Sequence, residues 1–371
     1  MLNKREVIRL ARETGFADIG FTTTDKFSSQ QQLLEERSAD YSWAAVKGIN
    51  LEGGTDPLAV YPEAKSIIVL LENYHQQAFP LSLVGKFGRC YLDDDRVTRD
   101  GLAVRIKIFR LALREHGIES KMPDNIPHRL AAARAGLGTF GKNNLLYANH
   151  TARHSSWIFP IVLLTNQEFN PDQPTIKLGC PDWCRNVCIA SCPTRALTGV
   201  GRINPRRCIS YLSYYGEGIT PLELREPMGT WVYGCDRCQN VCPRNEAWLG
   251  QELPLNPRAA DREKRLALNS LLFMDEEFYR EMIWPYMFYM SRRDLWRWKM
   301  NTARAMGNSG DESYVPQLIK AFAENADERV CGMIAWALGR LGGAEAACAL
   351  MRWQPLATGL IRAEIDNALR Q

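Results

Sequence analysis

Eight of the eleven cysteines fall between Cys180 and Pro243, in two bursts and one outlier. The first burst, CPDWCRNVCIASCP, holds Cys180, Cys184, Cys188 and Cys192. Cys208 stands alone in INPRRCISY, and YGCDRCQNVCP supplies Cys235, Cys238 and Cys242. Thiolates are ligands for soft metal centres, and a four-iron cluster takes four of them. Both bursts end in Cys-Pro, and where two clusters share such a pair of runs, the cysteine before the proline ligates the other cluster, so the halves interlock. The expected sets are Cys180, Cys184, Cys188 and Cys242 for one cluster, and Cys192, Cys208, Cys235 and Cys238 for the other. Zinc also favours CxxC pairs but has no use for a proline behind both runs. Disulfides belong to oxidising compartments, which nothing here indicates. In the first run every gap is three residues, where the bacterial cluster run has two, two and three. Cys188 and Cys192 keep the usual final spacing, while Cys180 and Cys184 are each displaced by one extra residue.

RAGLGTFGKNN is the second chemically suggestive stretch. Gly136, Gly138 and Gly141 match GxGxxG, but a helical segment precedes them and Thr151 to Asn166 carries no acid to hold a ribose. Gly136 to Lys142 also matches GxxxxGK, yet Asn143 stands where a magnesium-binding hydroxyl is needed. What remains is a tight turn bearing Lys142 and Asn143, suited to close approach by a large flat ligand because its glycines carry no side chains. A turn that only joins a helix to a strand reads equally well.

These residues must be positioned by the elements around them. The 371 residues allow two or three domains, and a net charge of +4 permits a nucleic-acid partner without demanding one. The first residues carry scattered charge, with no signal-like apolar block, no twin-arginine pair before a hydrophobic run and no stretch of membrane-spanning length, so a cytoplasmic protein is expected. Residues 3–15 read as an amphipathic helix stopped by Gly15, and ADIGFTTT as a strand. SIIVLLEN (66–73) and SWIFPIVLLT (156–165) read as buried strands, Pro160 marking an edge or bulge. Leu102, Ile106, Phe109 and Leu113 give a helix over 100–116. An α+β or α/β domain is implied, of which α+β is the fold class expected, with QEFNPDQPTIK as the linker to the cysteine region.

The last third is helical and repeats itself. ARAMGNSG at 303–310 returns as AWALGRLGG from Ala335, 32 residues later, each copy followed by a second helical pattern. The period and small-residue core suit stacked HEAT-type helix pairs. Cys331 and Cys348 are expected to pack inside them. Before the first copy, SRRDLWRWKMNTAR sets Arg292, Arg293, Arg297, Lys299 and Arg304 beside Trp296 and Trp298, a composition suited to phosphates and unstacked bases. A solvated helix face with its tryptophans in the core is the plainer alternative.

The chain resembles the epoxyqueuosine reductases, relatives of the reductive dehalogenases. The likeness is carried by AKSIIVLLENYH, RAGLGTFGKNNLL, the Cys180–Pro193 run, RRCISYLSYYGEGITPLELREPMG, YGCDRCQNVCPRN and the terminal repeat, so it runs almost end to end. It implies a cobalamin-binding domain over 1–170, a ferredoxin-like domain with two 4Fe-4S clusters over 171–250 and a HEAT-like domain over 251–371. It further implies that cobalamin and the clusters reduce the epoxide of epoxyqueuosine in the tRNA anticodon stem-loop to queuosine, fed by a donor such as a flavodoxin or ferredoxin. Gly136, Gly138, Gly141, Lys142 and Asn143 are then the expected cobalamin contacts.

Two segments depart from the family pattern besides the stretched cysteine run. The family's proton-donating Asp precedes its glycine turn, where this chain reads MPDNIPHRLAAARAGLG; Asp124 takes that place if two residues are deleted, and Met122 without the gap. His128 is the substitute proton source, because imidazole titrates near neutrality. CYLDDDRV stands where the family has a Tyr- and His-containing segment, and Cys90 there is expected to be a small buried residue rather than a thiol near cobalt. Two other functions stay open on these grounds: a divergent corrinoid iron–sulfur reductase with another substrate or a partner corrinoid protein, and an electron-transfer module.

Overall fold

The computed structural model describes residues 2–92 and 101–370. Part of the CYLDDDRV segment, Asp93 to Val97, lies outside the described residues, as does Asp100.

The first 170 residues are built on a four-stranded antiparallel sheet in the order β1 (Asp18–Thr22), β2 (Ser66–Asn73), β6 (Ile158–Thr165), β3 (Ser120–Lys121). Strands β2 and β6 read as unbroken apolar runs because both faces of the sheet are covered. Ile67, Val69 and Leu71 face one core with the alanines of α3 (His128–Arg134), while Ile68 and Leu70 face another with α1 (Lys4–Glu13) and α2 (Gly101–Glu115). The expected helical positions Leu102, Ile106, Phe109 and Leu113 are the buried face of α2. Pro160 pairs with Leu71 on one side only, since β3 reaches no further along β6 than Leu164, so its missing N–H costs no ladder bond. The antiparallel sheet has no βαβ crossover among the described strands, consistent with rejecting a dinucleotide fold.

The glycine stretch forms a hairpin of β4 (Gly138–Phe140) and β5 (Leu146–Ala148) that leads out of α3. Gly136, at φ +74°, turns the chain off the helix end, a left-handed conformation that suits glycine. The cysteine region contains two matched one-turn helices packed on each other, α4 (Val187–Ala190) and α6 (Arg237–Asn240), each carrying a cysteine and each followed by Cys-Pro, with α5 (Ile209–Tyr214) between them in the chain. The first run absorbs an extra residue at Asn186, which adopts φ 60° and ψ 33°, tolerable for asparagine.

The last third is a stack of helices. α8 (Leu295–Ser309), α10 (Glu328–Leu341) and α12 (Gly359–Ala368) pack in succession, with α9 (Val315–Glu324) and α11 (Gly343–Trp353) beside them, and α7 (Leu268–Phe273) adjoins α8. The repeat explains the approach: a Cβ on Gly307 would lie 2.8 Å from the Ala337 Cα, and one on Gly339, 32 residues on, 2.8 Å from the Ala368 Cβ. The helical core also takes in Phe79, Leu83, Phe87, Val232 and Tyr233, so it reaches across both expected boundaries. Cys331 is buried as expected; Cys348, at the surface of α11, is exposed and does not pack. No described helix is long and apolar enough to cross a membrane.

Candidate active site and cluster region

The eight thiols sort into two neighbourhoods. Cys180 feels the charges of Cys184 and Cys242, and Cys188 those of Cys242, Cys180 and Cys184. Cys208 faces Cys192; Cys235 faces Cys208 and Cys238; and Cys238 feels Cys208 and Cys192. These proximities follow the two sets expected from the Cys-Pro pattern, with Cys238 also near Cys188; among the described residues no three of the thiols are gathered tightly enough to hold a single metal ion. Burial raises the thiols of Cys188, to about 11, and of Cys208 and Cys235, so these groups hold their protons until metal replaces them.

Backbone and side-chain donors already point at the sulfurs. The Lys142 amide donates to Cys180 Sγ at 3.3 Å, the Ala196 amide to Cys192 Sγ at 3.2 Å, and the Tyr147 hydroxyl to Cys242 Sγ at 3.1 Å. Asp236, between Cys235 and Cys238, is buried and paired with Arg89 at 3.0 Å, tying the second run to the segment after β2. Gln239 adds to that tie by accepting from Ser156 and Tyr74 at 2.9 and 3.2 Å.

A cavity of about 480 Å³ opens between the sheet domain and the cysteine region. Cys192, Cys208, Cys235 and Cys238 all contribute to its wall, and no thiol of the first set does among the described residues. The wall also takes in Ile158, Phe159 and Pro160 of β6, Asn143 and Asn144 from the hairpin, and Tyr74, Tyr91 and Tyr214. Burial holds these three phenols well above their usual range, so they remain protonated donors.

The cofactor contacts expected from the glycine turn are largely corrected. Gly136, Gly138 and Gly141 face the protein itself: an added Cβ would meet the Gln173 carbonyl at 2.8 Å, the Tyr147 carbonyl at 2.7 Å and, at Gly141, the Tyr147 ring. They permit close internal packing, not ligand approach. Lys142 is committed to the first cysteine run, its Nζ donating to the Cys184 carbonyl at 2.9 Å. Of the five, Asn143 lines the cavity, joined there by Asn144. Cys90, expected to be buried packing, is half-buried in the same wall. Asp124 is exposed and outside the wall, whereas His128 is part of it, with Nε2 3.1 Å from the Pro123 carbonyl.

The basic segment divides as well. Arg297 is 3% exposed, paired with Asp294 and bonded to the Gly216 carbonyl, and Arg304 is fully buried against the carbonyls of Gly229 and Trp231. Neither faces a phosphate; they hold the strand of chain between Cys208 and Cys235. Asn301 and Asn308 extend the same row, donating to Ser213, Val232, Arg225 and Gly229 carbonyls. The spacing 297, 301, 304, 308 is one helix face, and this polar stripe within a buried helix was the legible signal. Lys299 is half-buried, while Arg292 and Arg293 are exposed. Arg292 covers the Trp284 ring at 3.9 Å in a groove of about 440 Å³ also lined by Lys47, Tyr215, Phe288 and Tyr289. Tyr214 and Tyr289 line both groove and cavity, so the two share a wall. This aromatic groove was missed because its residues come from separate segments.

Comparison with known proteins gives the family. Residues 180–245 match the model of a 4Fe-4S double cluster binding domain. Epoxyqueuosine reductase from Listeria monocytogenes serovar 1/2a is 30% identical over 365 residues, covering 94% of this chain and 92% of the relative. The chain belongs to the epoxyqueuosine reductase family. The Bacillus subtilis (strain 168) epoxyqueuosine reductase is 29% identical, with 91% and 88% covered. The crystal structure of an epoxyqueuosine reductase with a tRNA-Tyr epoxyqueuosine-modified tRNA stem loop superposes with a TM-score of 0.81 at 27% identity, over 99% of this chain and 98% of that one. A Bacillus subtilis epoxyqueuosine reductase structure, with its catalytic aspartate loop swung out of the active site, gives 0.80 at 27% identity over 99% and 98%. As a member of the epoxyqueuosine reductase family, this chain is an oxidoreductase.

Proposed function

We propose that this chain reduces the epoxide of epoxyqueuosine in a tRNA stem loop to the alkene of queuosine, with cobalamin in the cavity and two 4Fe-4S clusters on the interlocked cysteine sets. The observation that carries the reading is the cavity wall: the second cysteine set borders it and the first set does not. That order supports electron passage from the first cluster to the second and on to the cavity. Removing the oxygen takes two electrons and two protons and releases water, so one-electron carriers must act twice.

The residues present fit a corrinoid. Aromatic and proline surfaces suit a flat macrocycle, and Asn144 and Arg129 offer polar partners for its amide-bearing rim. Bound cobalamin supplies the strongly reducing metal centre; the protein supplies access, electrons and protons. Asp124 serves as the proton donor when the loop between Met122 and Pro127 brings it to the cavity, a reading supported by the swung-out aspartate loop of the Bacillus subtilis relative. His128 already lines the wall and is the alternative donor.

The groove holding Trp284, Phe288 and Tyr289, with Lys47 and Arg292 at its edge, takes unstacked bases beside the reacting one, and the HEAT-like helical stack backs it. Trp183, 67% exposed in the first cysteine run, marks the side from which a flavodoxin or ferredoxin reaches the outer set.

The test is anaerobic turnover of tRNA carrying epoxyqueuosine, read by nucleoside mass spectrometry, with iron, sulfide and cobalt measured on the same sample. About eight irons and one corrinoid per chain, with conversion that needs both cobalamin and reductant, is the expected result. Full cofactors without conversion would instead favour a divergent corrinoid reductase. Eight irons without retained cobalamin would favour an electron-transfer module.

A further inference from the structure

Tyr147 is a buried residue of β5 whose hydroxyl lies 3.1 Å from Cys242 Sγ. The direction of that bond is set by Asn143. The Asn143 Oδ1 accepts from the Leu145 amide at 3.2 Å, which turns its Nδ2 toward the Tyr147 oxygen at 3.0 Å. With its oxygen thus occupied by a donor, the phenol directs its own proton to the sulfur. The ring is locked in place: Gly141 leaves the space it fills, and the Arg244 guanidinium stands 4.4 Å over it while donating to the Gly179 carbonyl, next to Cys180, at 3.0 Å. Asn143 Nδ2 also lies 3.4 Å from the carbonyl of Cys238, in the other set.

We infer that Tyr147 is a positioning residue that sets the reduction potential of the cluster held by Cys180, Cys184, Cys188 and Cys242, through its hydrogen bond to the Cys242 sulfur. The inference rests on the two-cluster reading above. A donor to a ligand sulfur stabilises the additional negative charge of the reduced cluster and so raises its potential. The outer cluster is then the easier one to fill from an outside donor. Since Asn143 lines the cavity, the same pair of side chains connects the cavity wall to that cluster.

The experiment is a redox titration of both clusters by electron paramagnetic resonance, on anaerobically prepared full-length protein with iron and sulfide counted. Tyr147→Phe is expected to lower the reduced-to-oxidised ratio of one cluster about tenfold at a fixed potential, a shift of about 59 mV for one electron, and to leave the other in place. Incorporation of 3,5-difluorotyrosine at position 147, a stronger donor of the same shape, is expected to shift that cluster in the opposite direction. Unmoved midpoints with full iron, or equal movement of both clusters, would overturn the inference. Should Tyr147→Phe lose iron, the difluorotyrosine protein decides: a midpoint that fails to rise also overturns it. An unsubstituted chain with only four irons would overturn the two-cluster reading itself, a separate outcome read from metal content alone.

Discussion

Arg297 donates from its buried guanidinium to the carbonyl of Gly216, between the lone Cys208 and the second cysteine burst. Its positive charge therefore serves the cluster region's backbone instead of RNA. Arg297→Met should leave that carbonyl unpaired and cost about 2 kcal/mol, seen as a lower Tm and as iron lost from one of the two clusters. Weakened RNA binding at full iron content would contradict this role.

Lys47 and Arg292 are the cations expected to meet phosphates. The pair Lys47→Glu and Arg292→Glu should weaken stem-loop binding and flatten its dependence on salt by about two charges' worth of slope, with iron content unchanged. A salt titration that superposes on the unsubstituted protein would remove the groove from the RNA path.

The proton donor can be separated by two substitutions. Asp124→Asn should lower turnover by about 10²-fold or more while cobalamin and cluster content stay constant. His128→Gln should have a smaller effect. The reverse ranking would transfer the role to the histidine already in the wall.

His75 predicts a pH effect. Its ring is buried among Phe79, Trp157 and Trp248, its Nδ1 has no hydrogen-bond partner, and burial first and Arg89 second lower its pKa to about 4. The folded state thus holds it neutral, whereas the unfolded chain protonates it near 6.5. The resulting stability is present above 6.5 and falls away as pH drops toward 4, by up to about 3 kcal/mol. His75→Phe should flatten this part of a Tm-against-pH curve; an unchanged slope would show that other groups carry it.

Much of this protein was legible in one dimension. Cysteine number, spacing and the two Cys-Pro endings mark a double-cluster region, as the match over residues 180–245 bears out, and SIIVLLEN or the Leu102 to Leu113 periodicity specify elements because burial acts residue by residue. The 32-residue repeat likewise located the glycines where helices cross. Tertiary structure decided what depends on partners distant in sequence. It spent the glycines of the turn on Tyr147 and Gln173, took Arg297 and Arg304 into the core as clamps on carbonyls some 70 to 80 residues away, and assembled the aromatic groove from segments 47, 215 and 284–292. A side chain's chemistry is written in its type, but whether an arginine faces a phosphate or a buried carbonyl is set by which surface the rest of the chain covers.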